Sequence, residues 1–115
     1  MAFAIDTEQH GDVALVVVRG ELDMATAPQL RETLAAVLRE GRHLVVDLER
    51  VDFVDSFGIG ILLGGLKRAR GQGGGLGLVC TSRTVLRPFE ITGLDRVFAI
   101  HDRREAALAA ADGDG

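Results

Sequence analysis

Cysteine occurs once in these 115 residues, as Cys80, and lysine once, as Lys67. A lone thiol excludes an internal disulfide, a Cys-x-x-Cys redox pair and any multi-thiolate zinc site, and it suits a reducing cytoplasm. Basic residues number 13 against 17 acidic ones, a net charge of −4, so there is no cationic surplus to neutralise phosphates or anionic lipid. Nucleic acid and membrane are therefore not expected as partners. Apolar runs such as Val13 to Val18 fall far short of a bilayer span, and no basic region precedes an apolar stretch at the N-terminus. An exported or membrane-embedded protein is not expected.

What is present is an ordinary globular mix, 47% hydrophobic and 26% charged. A chain of this size buries roughly two thirds of its unfolded surface in one core. The expected organisation is a single domain over residues 1–111, with 112–115 a disordered tail. Phe3 to Gln9 alternates apolar and polar, and the β-branched run Val13 to Arg19 follows a turn at His10-Gly11-Asp12, which predicts a hairpin. A first helix is expected from Thr26 as cap, Pro28 in the first turn, and Leu30, Leu34, Val37 and Leu38 at helical spacing up to Gly41. His43 to Leu48 reads as a buried strand, and Val51 to Val54 leads into a loop at Asp55 and Ser56. Ile59, Leu62, Leu63, Leu66 and Ala69 mark a second helix ending in Lys67, Arg68, Arg70 and Gly71.

Past a glycine loop, Leu76 to Cys80 predicts another strand. Ser82 then caps a helix through Val85, Leu86, Phe89 and Ile91, closed by Gly93, which Pro88 should kink or split. Val97 to Ile100 is the final strand, and Asp102 with Glu105 forms a capping box for an Ala-rich helix. Strands alternating with about four helices predict an α/β fold with a mixed, mostly parallel sheet and an antiparallel edge from the first hairpin.

Several enzyme signatures fail on spacing. Gly58, Gly60 and Gly64 open a helix after a strand, but a dinucleotide fingerprint needs its third glycine where Leu63 stands. The glycine cluster at 71–77 follows a helix and precedes a strand, the reverse of a phosphate-cradling loop. Ser56, Asp95 and His101 follow the chain order of an α/β-hydrolase triad, yet Val54 occupies the position where the nucleophile elbow wants glycine. Asp47, Asp52 and Asp55 suggest a phospho-aspartate receiver, but Lys67 lies in the second helix and not near a late strand. His10, His43 and His101 are dispersed and show no ligand spacing. No catalytic residues, metal or cofactor are expected.

The informative segment is Val51-Asp52-Phe53-Val54-Asp55-Ser56-Phe57-Gly58-Ile59-Gly60. Ser56 reads as a helix N-cap worth about 1 kcal/mol. Four glycines in the second helix, Gly58, Gly60, Gly64 and Gly65, cost up to about 1 kcal/mol each and require compensation from packing or from a partner. At 100° per residue, Phe57, Ile61, Gly64 and Arg68 stack opposite the core stripe, an apolar surface suited to docking another protein. A phosphoryl group on Ser56 would add about −1.5 to −2 charge, welcomed by the helix N-terminus and opposed by Asp55.

The chain resembles a stand-alone STAS domain of the bacterial anti-sigma-factor antagonist family over nearly its whole length. The resemblance is carried by Gly20-Glu21-Leu22-Asp23, by Asp55-Ser56-x-Gly58-x-Gly60 and by Thr92-Gly93-Leu94. It implies that Ser56 is phosphorylated by a cognate anti-sigma factor that is also a serine kinase, and that a phosphatase resets it. The unphosphorylated form would bind the kinase and release the sigma factor. The resemblance also implies that Asp23 and the start of the second helix contact the kinase. The partner-binding set expected is Asp23, Asp55, Phe57, Gly58, Ile61 and Arg68, on a monomer or weak dimer. Phe57 departs from the family's usual Ser or Thr. The competing readings are a constitutive STAS interaction module, in which Ser56 is only a cap, and a small serine hydrolase.

Overall fold

The computed structural model describes residues 2–113. Its elements run β1 (Ala4–His10), β2 (Val13–Leu22), α1 (Ala27–Glu40), β3 (His43–Val54), α2 (Ser56–Gly71), β4 (Gly75–Val79), α3 (Arg83–Ile91), a 3-10 turn (Leu94–Arg96), β5 (Ala99–His101) and α4 (Arg104–Gly113). The sheet order is β1-β2-β3-β4-β5, with β1 antiparallel to β2 and the remaining pairs parallel. Each parallel crossover steps one strand in the same direction, so right-handed connections place α1, α2 and α3 on one face. The main core lies beneath them, with Val16, Val18, Leu44, Val46 and Leu78 of the sheet meeting Leu30, Leu34, Leu62, Leu66 and Phe89 of the helices. After the last strand the chain crosses to the other face, where α4 covers Val13, Leu15, Val17, Val45 and Val79 with Ala107, Leu108 and Ala111.

The α/β class and the antiparallel hairpin agree with expectation, while several boundaries move. β3 is one continuous strand through Val54, with register shifts against β2 where two separate segments were expected. Pro88 sits inside α3 without splitting it. The hydrogen bond it cannot donate would go to the carbonyl of Thr84, an exposed residue, so water can serve that group. The last strand begins at Ala99, because Leu94–Arg96 winds into a 3-10 turn that accepts the Val97 and Phe98 amides at the Leu94 carbonyl. α4 opens at Arg104, so the Asp102–Glu105 capping box does not form. Asp112 and Gly113 belong to α4, and the rest of the expected tail, 114–115, lies outside the described residues.

The four glycines of α2 divide into two kinds. A Cβ on Gly58 would stand 2.6 Å from Leu22 Cγ and 3.0 Å from the Leu22 carbonyl oxygen. Gly65 is held nearly as closely by Leu34 and Leu76. Gly60 and Gly64 face open space. Gly58→Ala is expected to destabilise by about 1–3 kcal/mol through overpacking, whereas Gly60→Ala and Gly64→Ala should each stabilise by up to about 1 kcal/mol. Urea unfolding of the three variants separates the two kinds by sign.

Candidate functional site

The site is assembled where β2 and β3 end side by side. Leu22 pairs with Val54, and the Asp55 amide donates to the Leu22 carbonyl at 3.1 Å, fixing the entry to α2. Asp55 is the N-cap: its Oδ1 accepts from the amides of Phe57 at 2.9 Å and Gly58 at 3.0 Å. Its Oδ2 accepts from the Met24 amide at 3.1 Å, so one carboxylate ties the β2–α1 turn to the start of α2. Ser56 is therefore the first helical residue and not the cap, a correction that follows from the backbone path, which is still extended at Asp55 and helical from Ser56 on. It is exposed.

The neighbouring turn is organised by its own acid. Asp23 Oδ1 accepts from the amides of Ala25 at 2.9 Å and Thr26 at 3.1 Å. Thr26 is the cap residue of α1 as expected, but its hydroxyl donates to the Glu21 carbonyl at 2.7 Å and makes no side-chain cap bond.

The elements that meet at the start of α2 carry three exposed apolar side chains: Met24 in the β2–α1 turn at 64%, Phe57 in α2 at 55% and Phe53 near the end of β3 at 45% relative exposure. Sequence reasoning missed Met24 and Phe53: the first lies in a turn and the second beside a strand bulge, where no period marks a face. Ile61 is half-buried against the main core, while Gly64 and Arg68 are exposed. Gly58 is buried against Leu22 and Val54, so it shapes the surface from beneath and does not lie on it. Glu21, Asp52, Asp55 and half-buried Asp23 make this pole of the molecule acidic.

Asp55→Ala removes three backbone acceptor bonds and should cost about 2 kcal/mol, given about 1 kcal/mol for a cap and a similar amount for one further charge-assisted bond. Ser56→Ala should change stability by less than about 0.5 kcal/mol, as exposed substitutions usually do. Thermal unfolding of both checks which residue caps α2.

The hydrolase triad is not assembled. His101 ends β5, two strands from β3 and in register with Val79 and, through it, Asp47. Ser56 lies beyond Val54, which places it roughly 20 Å farther along the sheet and about 10 Å to the side. Asp95 sits in the 3-10 turn at the opposite end of β5 from His101. The receiver reading fails too. Asp47 is buried on the α4 face, where its Oδ2 accepts from Arg104 Nη2 at 2.8 Å and Nε at 3.0 Å, and Lys67 is exposed on α2. Among the described residues no group of three His, Cys, Asp or Glu side chains could hold a metal ion. Cys80 is buried, and desolvation pushes its thiol up to about 11, partly offset by a hydrogen bond with the backbone of Ser82, so it carries no thiolate chemistry near neutrality. No helix among the described residues is long and apolar enough to cross a membrane.

An exposed serine at a capped helix start, on elements that also expose Met24, Phe53 and Phe57, has the composition of a protein-binding surface. The chain belongs to the STAS-domain family, whose model matches residues 4–107. It is 34% identical over 108 residues to the anti-sigma-B factor antagonist of Bacillus subtilis, covering 94% of this chain and 99% of that protein. Among solved structures it is similar to an anti-sigma factor antagonist from Mycobacterium paratuberculosis, with TM-score 0.90, 35% identity and coverage of 96% and 95%. The unphosphorylated form of the anti-sigma factor antagonist SpoIIAA superposes with TM-score 0.81 at 26% identity, covering 96% of this chain and 97% of that one.

Proposed function

We propose that this chain is an anti-sigma factor antagonist controlled by phosphorylation of Ser56. In the unphosphorylated state it binds an anti-sigma factor that is also a serine kinase, and the sigma factor is freed. The kinase transfers the γ-phosphoryl group of ATP to the Ser56 hydroxyl oxygen; ADP leaves, the hydroxyl proton is lost, and the complex breaks. A phosphoserine phosphatase hydrolyses the ester and resets the switch. The reading places the protein in the cytoplasm, where sigma factors act.

The observation that carries the reading is the exposed Ser56 at the first position of α2, where the meeting elements also expose Met24, Phe53 and Phe57. Aromatic and methionine side chains are enriched at protein-binding surfaces relative to the rest of a protein's exterior. Asp55 and Asp23 hold the two backbone segments of that surface, and Ile61 and Arg68 extend it along α2. The partner surface assigned is thus Asp23, Asp55, Phe57, Ile61 and Arg68, with Met24 and Phe53 added and Gly58 left to packing. Phosphorylation leaves the fold intact, since the dianion meets the positive end of α2 and an adjacent carboxylate in nearly balancing terms.

The test is the intact mass of protein purified from its native cells, with the modified site mapped. A phosphoryl group on Ser56 is the expected result. A chain that stays unmodified through growth and stress, and after incubation with its kinase and ATP, would leave the constitutive interaction module in its place.

A further inference from the structure

We propose that the groove between α1 and α2 receives an acidic amphipathic segment of the binding partner, a helix whose leucine-type side chains enter the groove while carboxylates flank it. The inference rests on the partner-binding reading above and extends its surface. The groove holds about 220 Å³. Its floor is apolar, from Leu34, Leu38 and Ile61, and its α2 wall is opened by Gly60 and Gly64, where a Cβ would meet nothing within 4 Å. These two positions are exposed, so the absence of side chains there serves nothing inside the molecule.

Charge decides between occupants. Arg31 lines the groove from α1 and Arg68 from α2. Neither takes part in a salt bridge among the described residues, although the chain as a whole is acidic. Two unpaired guanidinium groups on opposite rims fit carboxylates on the visitor, which they can meet in bidentate pairs. A second copy docked symmetrically would set these arginines against their own counterparts, so the charge disfavours self-association. The groove is continuous with the Ser56 surface, because Phe57, Ile61, Gly64 and Arg68 follow one another by about a turn over roughly 17 Å of α2. That length suits about three turns of a partner helix.

The test titrates isotope-labelled protein with a synthetic helical peptide carrying leucines at i, i+3 and i+7 flanked by glutamates, and with the same peptide in which lysines replace the glutamates. The acidic peptide is expected to shift the amides of Ala35, Gly60, Ile61 and Gly64 saturably, to weaken with added salt, and to bind at least tenfold more tightly than the lysine version. Gly64→Leu, which fills open space, should abolish these shifts without lowering the unfolding midpoint. Equal binding of both peptides would overturn the acidic assignment. Shifts elsewhere, or none, would overturn the groove. Ser56→Asp should leave the peptide's shifts in place, so a failure of the phosphorylation reading would be seen separately, as undiminished binding of that variant to the anti-sigma factor.

Discussion

Ser56→Asp is expected to weaken binding to the anti-sigma factor by roughly 30-fold to several-thousand-fold, the equivalent of about 2–5 kcal/mol for a charge desolvated without a partner. The variant places a carboxylate on the surface that exposes Met24, Phe53 and Phe57, where Asp55 already supplies a negative charge. Its fold should be unchanged, because the side chain at the first helical position is exposed and a carboxylate there favours the helix. Isothermal titration of wild type, Ser56→Ala and Ser56→Asp against the same anti-sigma factor reads the effect directly. Ser56→Ala should bind within a few-fold of wild type; equal binding of the aspartate variant would remove phosphorylation as the switch. Desolvation in the docked interface sets the size of the effect, since an ion at the rim of a wet interface would cost far less.

The second large effect concerns stability. Arg104→Ala should destabilise the fold by about 3 kcal/mol, because it leaves the Asp47 carboxylate in the α4 face of the sheet with only the Glu49 amide as donor. Adding Asp47→Asn should recover at least half of the loss, since the burden is the unpaired charge and not the missing arginine stem. Urea unfolding of the single and double variants measures both. A single variant within about 0.5 kcal/mol of wild type would mean that water, reaching the partly exposed arginine position, replaces its bonds. The pair matters for the fold because α4 otherwise grips the sheet largely through alanines and one leucine, a small apolar contact.

How much of this was legible in the sequence follows from where periodic signals exist. The helices carried clear 3.6-residue stripes through Leu30, Leu34 and Leu38, and through Ile59, Leu62 and Leu66, and all six side chains are buried. The β-branched runs marked β2 and the first half of β3. The second half of β3 was less legible, because Glu49, Arg50, Asp52 and Phe53 are exposed as the strand runs past the shelter of its neighbours. The cap at Asp55 was missed for a different reason. Asp and Ser are both good caps, they are adjacent, and only the backbone path decides which one is still extended when the helix begins. Arg104 and Asp47 lie 57 residues apart, and no local pattern announces such a pair. Met24 looked like any turn residue until its amide was seen bound to Asp55.

The strand order has a consequence for how this chain is made. Every strand pairs with its neighbours in sequence, so none has to be threaded between two strands already in place. As the chain leaves the ribosome, the hairpin of β1 and β2 can form first and each later strand can add to a free edge, with its own crossover helix arriving just before it. Loops closed at each step stay short, which keeps the entropic barrier of each addition low. The exception is α4, which must reach back across strands already assembled. The Asp47–Arg104 bond then acts as the last latch of this fold, closed only after the five strands are in place.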